Sequence, residues 1–381
     1  MHVLFINNSL CFGGAEKQVI SLINRMDPRR YAVAVRYLKN DPALLGQLDP
    51  SCCTGGIECM GVTMGVDWSV VRRLRALIDA QTIDVVICTN MYALLYGWLA
   101  RRGARRKVHL VEVFHTTDLA SPKARVSMMV YRHIVRMSEL LVYVFKGQAR
   151  HWRQRGLRPH QETVIYNGVD TKRFADVWSA EEKLAVRRQY GIQGSDYVVG
   201  LCAVLRAEKA PGDLLAAVAR LRSEGVRIQC LFIGDGPERG RLEATSAELK
   251  LTDCTHITGL LQDVRPVIAA CDVMAITSHA VETFSIAALE AMALGKPMIM
   301  TDIGGAREQV RDGENGLVYP AGDINALAHC LRVMADPSVR GAAGSKALAL
   351  VHEAFDVEHM ARDYERKLAQ LVAGVSVHAQ P

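Results

Sequence analysis

The sequence of 381 residues lacks an apolar run long enough to cross a bilayer. A membrane-spanning helix needs about 20 consecutive apolar residues, whereas the longest candidate, residues 92–100, contains Gly97 and ends at Arg101. A basic leader and a cleavage site are also missing, because the N-terminus runs directly into a strand-like segment at residues 3–6. We therefore expect a cytoplasmic protein.

The ten cysteines include no C-x-x-C pair, the spacing typical of many zinc and redox sites. They are scattered from Cys11 to Cys330, and several lie in apolar runs such as residues 201–203. A free cysteine in such a run behaves as a small buried hydrophobe. We expect reduced thiols rather than a disulfide framework or a metal site.

Charge is divided unevenly along the chain. The net charge is +6, but residues 1–175 hold 25 Lys and Arg against 13 Asp and Glu, which gives +12 and leaves −6 for the remainder. A basic half suits an anionic membrane surface, a lipid pyrophosphate or a nucleic acid, and solubility alone is the alternative. Only 6% of the residues are aromatic and no nucleic-acid module is recognisable, which disfavours a nucleic-acid-binding protein.

The length favours two domains, and both halves alternate strand-like and helix-like segments. This alternation predicts βαβ units with parallel sheets. The predicted strands are residues 3–6, 31–37, 85–89, 108–113 and 140–145 in the first half, and 197–203, 229–234, 255–258, 273–277 and 297–301 in the second.

The boundary between the domains is predicted near residues 170–195. It follows the Asn167-Gly168 pair, which favours a turn, and a charged stretch comes next. After Pro337 the pattern is helical to about Ala373, and the last residues are expected to be frayed.

The segment from Glu282 to Glu290 places seven residues between two carboxylates. Ser285 or Thr283 is a suitable N-cap for a helix that Gly295 and Pro297 would end. The unpaired amides and positive dipole end at the start of such a helix favour a diphosphate. Glu290, two turns further on, suits ribose hydroxyls, and Glu282 suits a sugar ring; two solvent-exposed helix glutamates are the plainer interpretation.

This stretch closely resembles the E-x7-E signature of retaining glycosyltransferases of family 4, which have the GT-B fold. The resemblance implies two Rossmann-like, doubly wound parallel-sheet α/β domains that face a central cleft. It assigns an acceptor domain to residues 1–175 and a nucleotide-sugar donor domain to residues 190–350. A C-terminal helix at about 352–373 would pack back on the first domain. The resemblance further implies that Glu282 contacts the transferred sugar, that Glu290 binds the nucleotide ribose, and that residues 283–286 (Thr283, Phe284, Ser285 and Ile286) hold the diphosphate.

Two further pieces of the first half resemble the same family. Gly13 and Gly14 follow the first strand as a glycine-rich loop, where backbone amides can approach a phosphate or an acceptor without interference from a Cβ. His115 follows the strand at residues 108–113, in the context Thr116-Thr117-Asp118. It resembles the family histidine that hydrogen-bonds the donor sugar, and the carboxyl end of a parallel strand is where open α/β sheets bind ligands.

The phosphate clamp is expected at Lys209, directly after a strand. Many relatives place an arginine five residues earlier, but Val204 occupies that position here. Arg206 either takes over the role or is an ordinary surface charge. Gly236 and Leu260, in two strand-end loops, resemble the residues that line the base pocket, although simple turns explain these loops equally well.

The resemblance implies a metal-independent, retaining hexosyltransferase that uses a nucleotide diphosphate sugar and needs no cofactor. No Asp-x-Asp motif is present to fix a metal ion, so cations and amides would stabilise the leaving group. The resemblance implies that the acceptor displaces this group from the front face. The predicted acceptor is a lipid-linked saccharide or a polysaccharide in cell-surface glycan synthesis. A nucleotide-sugar epimerase of the same fold and a non-catalytic GT-B binding protein are the alternatives.

Two basic, apolar segments favour peripheral contact with the inner face of the cytoplasmic membrane. They are residues 68–77 and residues 123–137, and a cluster of basic residues at 101–107 adds to the same field. Ordinary half-buried helices with solvated basic faces are the alternative.

Overall fold

The computed structural model describes residues 1–115, 122–280 and 282–374, which form two compact units. Unit 1 comprises residues 1–168 together with residues from 357 onward, and unit 2 comprises residues 169–356. The chain passes from one unit to the other directly after Gly168, just before the predicted boundary region of residues 170–195. Each unit contains its own parallel sheet, so the predicted fold class of two Rossmann-like domains is confirmed.

Unit 1 is built on a seven-stranded sheet in the order β3-β2-β1-β4-β5-β6-β7, and every pair is parallel. Because the chain proceeds from β1 to β2 on one side and later to β4 on the other, the strand order reverses at β1. The strands are β1 (His2–Asn7), β2 (Ala32–Tyr37), β3 (Ile57–Cys59), β4 (Val85–Thr89), β5 (His109–Phe114), β6 (Leu140–Tyr143) and β7 (Glu162–Val164).

Among the described residues of unit 1, five helices connect the strands: α1 (Gly14–Ile23), α2 (Trp68–Ala80), α3 (Asn90–Arg101), α4 (Pro122–Arg136) and α5 (Lys146–Gln154). Asp67 caps α2, because its carboxylate accepts hydrogen bonds from the amides of Ser69 and Val70 at 2.8 and 3.4 Å. One face of the sheet, including Leu4 and Ile6 of β1, packs with buried residues of α2 and α3 in a continuous apolar cluster. Side chains alternate along a strand, so Phe5 and Asn7 lie on the opposite face.

Unit 2 contains a six-stranded parallel sheet in the order β10-β9-β8-β11-β12-β13. Its strands are β8 (Tyr197–Cys202), β9 (Ile228–Ile233), β10 (Thr255–Ile257), β11 (Val273–Ile276), β12 (Met298–Thr301) and β13 (Gly316–Tyr319). Its helices are α6 (Ala180–Gln189), α7 (Pro211–Ser223), α8 (Arg239–Glu248), α9 (Arg265–Ala270), α10 (Ile286–Ala293), α11 (Ala306–Gln309), α12 (Ile324–Met334) and α13 (Pro337–Ala354).

The helical stretch predicted after Pro337 is two helices rather than one. It is interrupted at Phe355 and Asp356, after which α14 (Val357–Val372) begins. The final helix belongs to unit 1, where it contacts α1. The side-chain amide of Gln18 donates to the Met360 sulfur, and Arg25 and Arg30 pair with Glu358 and Glu365 at 3.1 and 3.0 Å. Helix α14 therefore packs as part of unit 1.

All ten predicted strands are present, with ends within two residues of the predicted ones. Three further strands, β3, β7 and β13, were not predicted, and they have only three or four residues each. Runs this short carry little periodicity, and β13 begins with a glycine, which is rare in strands. Within the residues that the structure describes, no helix is long and apolar enough to cross a membrane.

Candidate functional site

The turn that contains Glu282 leads directly into α10. Ser285 is the N-cap, with its hydroxyl accepting a hydrogen bond from the Ala288 amide at 3.3 Å. Of the two predicted caps, the structure uses Ser285. The helix ends at Ala293, and Gly295 follows with a φ of +70°, a left-handed conformation that glycine adopts readily.

The amides at the start of α10 are not all available to a ligand. The Ser285 amide donates to the side-chain oxygen of Gln309 at 2.9 Å, and the Ala288 amide is taken by the cap. Among the described residues, the amides of Ile286 and Ala287 have no hydrogen-bond acceptor. The backbone amides left for a ligand are therefore those of Ile286, the last residue of the predicted stretch 283–286, and of Ala287. The predicted diphosphate contact stays a prediction.

Gln309 holds this turn from both sides. Besides accepting from the Ser285 amide, its side chain donates to the Ser285 carbonyl oxygen at 2.8 Å, and it is fully buried. The Gly305 amide also donates to the Thr283 carbonyl oxygen at 2.7 Å. The segment after β12, which includes Gly305 and α11, thus fixes the backbone between Glu282 and α10.

Lys209 meets Glu282 at the carboxyl ends of β8 and β11. The Lys209 ammonium nitrogen lies 2.7 Å from Oε2 of Glu282, and the Ser278 hydroxyl donates to the same oxygen at 3.0 Å. The two charged side chains are 27% and 13% exposed, so the pair is only partly open to solvent. The structure therefore brings together two of the residues predicted to act in catalysis.

The end of β11 also fixes the backbone that carries Lys209. The Thr277 hydroxyl donates to the Lys209 carbonyl oxygen at 2.7 Å, and the His279 amide donates to the Glu208 carbonyl oxygen at 3.0 Å. The His279 ring contacts the Asp213 carboxylate at 2.6 Å, at the first turn of α7. These three contacts join the segment after β11 to the backbone around Lys209 and to the start of α7.

Arg206 stands apart from this pair. Its side chain is 55% exposed, and within the described part of the chain its only ion pair is a long one to Glu208, at 3.9 Å. The proposed substitution of Arg206 for the arginine expected at position 204 stays a prediction. Lys209 is the cation that the structure places at Glu282.

Glu290 and Phe284 are both buried in unit 2. Glu290 lies in the second turn of α10 and is 5% exposed. Phe284 packs edge-on against Phe355, with ring centroids 5.4 Å apart, which indicates that it anchors the turn in the core. The predicted contact of Glu290 with a ribose stays a prediction.

The predicted base-pocket residues occupy neighbouring strand ends. Gly236 packs against the backbone of Leu205, and a Cβ at this position would lie 2.7 Å from the Leu205 amide nitrogen. Leu260 is largely exposed, and the loops that carry the two residues are joined by a bridge between Gly234 and Gly259. Close backbone packing explains the glycine, and the exposed leucine stays a candidate for contact with a base.

The remaining candidates, Gly13, Gly14 and His115, belong to unit 1. Gly13 is the N-cap residue of α1, and the carboxylate of Glu16 folds back over it. The His115 amide donates to the side chain of Asn90 at 3.3 Å, and burial lowers the pKa of His115 to about 4, so its ring is neutral at pH 7. The context residues Thr116, Thr117 and Asp118 lie outside the described residues.

Two family models match most of the chain in the order of its two units. The model described as Glycosyltransferase Family 4 matches residues 12–173, and the model described as Glycosyl transferases group 1 matches residues 182–347. The chain is a GT-B glycosyltransferase of the family 4 type. The resemblance seen in the E-x7-E segment and in the glycine-rich loop is thereby confirmed.

Individual relatives of this glycosyltransferase act on different compounds, to judge by their names. N-acetyl-alpha-D-glucosaminyl L-malate synthase of Bacillus anthracis is 25% identical over 305 residues, or 78% of each chain. D-inositol 3-phosphate glycosyltransferase of Mycobacterium bovis is 28% identical over 301 residues, or 73% of this chain and 60% of that one.

Solved structures agree over almost the whole chain. Anabaena HepE in complex with UDP has a TM-score of 0.84 and 25% identity, with 97% of this chain and 100% of that chain covered. Sucrose-phosphate synthase of Thermosynechococcus elongatus, at 22% identity, shares the fold with a TM-score of 0.80 and coverage of 98% and 100%.

Sequence reasoning missed three residues that position the site of this glycosyltransferase: Thr277, Ser278 and Gln309. Thr277 is the last residue of the predicted strand 273–277 and Ser278 follows it, which was the one available signal. Gln309 carries no such signal, because its partner Ser285 is 24 residues away. Within the described part of the chain, no three His, Cys, Asp or Glu side chains gather closely enough to hold a metal ion.

Proposed function

We propose that this glycosyltransferase transfers a hexose from a nucleotide diphosphate sugar with retention of anomeric configuration and without a metal ion. The observation that carries the proposal is the contact of Lys209 with Glu282 at the start of α10. A cation and a carboxylate thus lie just before a helix whose first turn has two amides without acceptors among the described residues. Lys209 and the amides of Ile286 and Ala287 suit a diphosphate, and Glu282 suits the hydroxyls of a sugar.

The ion pair also suggests how the site is kept ready before the donor binds. Glu282 neutralises Lys209 in the free protein, and Ser278 holds the shared oxygen in place. When a diphosphate approaches, it competes for the ammonium group and leaves Glu282 to accept hydrogen bonds from the sugar. Each charged group therefore keeps a partner in both states, which avoids the cost of an unpaired, partly buried charge.

The proposed chemical step uses these groups to stabilise the departing diphosphate. The bond between the anomeric carbon and the phosphate oxygen breaks, and the acceptor oxygen bonds to the same face of that carbon. The acceptor proton passes to the departing phosphate oxygen. Lys209 and the helix amides counter the negative charge that develops there, the type of electrostatic stabilisation that is often the largest contribution to catalysis. Neutral His115 is proposed to hydrogen-bond the donor sugar.

Thermal unfolding with a panel of UDP-, GDP- and ADP-sugars tests the donor. A donor that binds only the native state at 100 times its Kd stabilises that state by about 2.7 kcal/mol, so the matching donor is expected to raise Tm by several degrees. The solved HepE complex makes UDP-sugars the first choice. If no nucleotide sugar raises Tm at millimolar concentration, the proposal is wrong.

Product analysis by NMR then separates transfer from epimerisation. A transferase gives a glycoside with the donor's anomeric configuration and requires an acceptor. An epimerase releases an epimerised nucleotide sugar in the absence of any acceptor. An inverted glycoside would contradict the proposed stereochemistry but not the transfer itself.

We further propose a lipid-linked saccharide or polysaccharide acceptor in cell-surface glycan synthesis, and contact of unit 1 with the inner face of the cytoplasmic membrane. Met64 and Trp68 are 89% and 61% exposed at the start of α2. Their loop is fixed to α3, since the hydroxyls of Tyr92 and Tyr96 both donate to the Gly65 carbonyl oxygen. An apolar pair presented by an ordered, basic unit suits an anionic bilayer.

The basic cluster at residues 101–107 contributes less than its sequence suggests. Arg101 pairs with Glu139 and Arg106 with Asp84, whereas Arg102, Arg105 and Lys107 are exposed. In the second basic segment, Met129 is exposed, but the side chains of Lys123 and Arg125 lie outside the described residues.

Flotation with phosphatidylcholine vesicles, with and without phosphatidylglycerol, tests membrane contact. The wild-type chain is expected to float only with the anionic vesicles and to lose binding as salt screens the charges. The double variant Met64→Ser/Trp68→Ser is expected to remain at the bottom of the gradient. Val177→Ser, which removes a 74% exposed apolar side chain from unit 2, should float like the wild type. Failure of the wild type to bind at low salt would refute the membrane proposal.

A further inference from the structure

Two buried polar side chains in unit 1 lack partners within the described part of the chain. Asn7 and Thr89 are 2% and 3% exposed. Both polar atoms of the Asn7 amide and the hydroxyl of Thr89 form no hydrogen bond there. A buried polar group left unpaired lowers the stability of the folded state, so such a group requires an explanation beyond stability.

The strand order brings the two side chains side by side. Ile6 of β1 is in register with Cys88 of β4, so Asn7 and Thr89 come next on the two neighbouring strands. Because side chains alternate, both lie on the sheet face opposite to Ile6 and Cys88, which belong to the apolar cluster with α2 and α3. They also lie at the carboxyl ends of the two strands that flank the reversal of strand order, the position where open α/β sheets bind ligands.

The first turn of α1 follows β1 closely and adds a carboxylate. Glu16 folds back over Gly13, the N-cap residue, which itself has no side chain to cap the helix. Burial raises the pKa of Glu16, and Asp41 raises it further. Burial also raises the pKa of the Cys11 thiol, and the carboxylates of Glu16 and Asp41 add to that increase. The N-terminus of a helix normally attracts anions, but at the N-terminus of α1 the chain's own Glu16 carboxylate occupies that position.

Lys39 lies near this region, and its ammonium group is turned toward another side chain. The Lys39 amide donates to the Asn8 carbonyl oxygen, while the Lys39 ammonium group lies 5.8 Å from the centre of the Tyr92 ring. The unpaired side chains are thus a neutral amide and a hydroxyl, and the helix that follows β1 carries a carboxylate in its first turn. Together they can donate to and accept from hydroxyl groups, but they offer an anion no charged partner.

We propose that Asn7, Thr89 and Glu16 bind an uncharged, hydroxyl-bearing part of the acceptor, such as a sugar ring or a polyol, and select against acceptors with a phosphate or carboxylate there. This inference rests on the proposed transfer to a saccharide acceptor and specifies its chemistry. The ligand's hydroxyls satisfy the Asn7 amide and the Thr89 hydroxyl, and Glu16 accepts a further hydrogen bond from them.

Apolar replacements of similar shape separate this role from a structural one. Asn7→Leu and Thr89→Val remove the unpaired groups, so Tm is expected to stay the same or to rise. The Tm increase caused by the donor and the slow hydrolysis of the donor without acceptor are expected to stay within twofold of the wild type. The acceptor KM is expected to rise at least tenfold. Ser246→Ala in unit 2, which removes another buried hydroxyl without a partner among the described residues, should change neither KM nor kcat.

A second experiment tests the charge selection. The neutral probes are methyl α-D-glucopyranoside and myo-inositol, and the anionic probes are D-inositol 3-phosphate and L-malate. The wild-type chain is expected to use the neutral probes with the higher kcat/KM. Glu16→Gln, which keeps the hydrogen-bonding shape without the charge, should reduce this preference at least fivefold. Glu243→Gln, on the surface of unit 2, is the matched control.

Any of three results would overturn the inference. They are a lower Tm in the Asn7→Leu and Thr89→Val variants, an acceptor KM that these variants leave unchanged, and a wild-type kcat/KM that is as high for the anionic probes as for the neutral ones. Donor hydrolysis without use of any neutral probe would also refute it and leave the proposed function intact. A wild-type chain that neither binds nor hydrolyses a nucleotide sugar instead contradicts the proposed function.

Discussion

Lys209→Met is expected to lower kcat for sugar transfer by about 10²–10³-fold, the loss typical for removal of one group that stabilises transition-state charge. The Lys209 ammonium group contacts Glu282 in the free protein, and it is proposed to pair with the departing diphosphate during transfer. Glu282→Gln should cause a loss of similar size, because the neutral amide neither balances Lys209 nor accepts hydrogen bonds as strongly from the sugar. Steady-state kinetics with the donor identified by thermal unfolding measures both.

The double variant gives a sharper result than either single one. Two residues that act through a shared contact are not additive, so Lys209→Met/Glu282→Gln is expected to be little worse than the more damaging single change. Lys183→Met is the matched control, since Lys183 is also 27% exposed and pairs with Asp176 at 2.5 Å elsewhere in unit 2. Full activity in Lys209→Met, with the control equally active, would remove Lys209 from the mechanism.

Gly304→Ala is expected to abolish the Tm increase caused by the donor and to lower transfer at least tenfold. A Cβ at Gly304 would overlap the carbonyl oxygen of Glu282 and lie 2.8 Å from that of Thr283. Both neighbours are backbone atoms, so the whole turn before α10 must move to make room. That movement would displace Glu282 and the amides of Ile286 and Ala287 together.

Gly313→Ala separates this overlap from simple backbone strain. Gly304 and Gly313 both have a left-handed φ, +56° and +77°, but an added Cβ at Gly313 meets nothing within 4 Å. Each alanine therefore costs about 1–2 kcal/mol in backbone conformation, and only Gly304→Ala forces the turn to shift. Thermal unfolding with and without donor should show a lower Tm for both variants but a lost donor response for Gly304→Ala alone. Equal donor responses would show that the turn tolerates the displacement.

The helix start at the centre of the proposed site was readable from the sequence because its determinants are local. Ser285 caps the helix three residues before the amide it binds, and Gly295 follows the last turn. The same holds for the ten predicted strands, whose apolar runs are continuous in sequence. Family resemblance supplied the roles of Glu282 and Lys209, and the structure supplied the contact between them.

The limits of sequence reasoning appear at residues whose partners are distant in the chain. Gln309 hydrogen-bonds the backbone of Ser285, 24 residues away, and Lys209 pairs with the carboxylate of Glu282, 73 residues away. The site assigned to Asn7 and Thr89 depends on β1 lying next to β4, a pairing across 82 positions. Nothing local distinguishes these asparagine and threonine residues from ordinary strand ends.

By itself the sequence determined the two parallel-sheet units, ten of their strands, and the helix that begins after Glu282. Periodicity, caps and breaking residues act within a few turns of chain, so they are fixed before any packing. Only the tertiary structure decided which strand ends adjoin, which amides of α10 are already used, and which buried polar groups lack a partner. Those outcomes depend on how whole elements pack, and burial acquires its cost only after packing has removed water from the groups concerned.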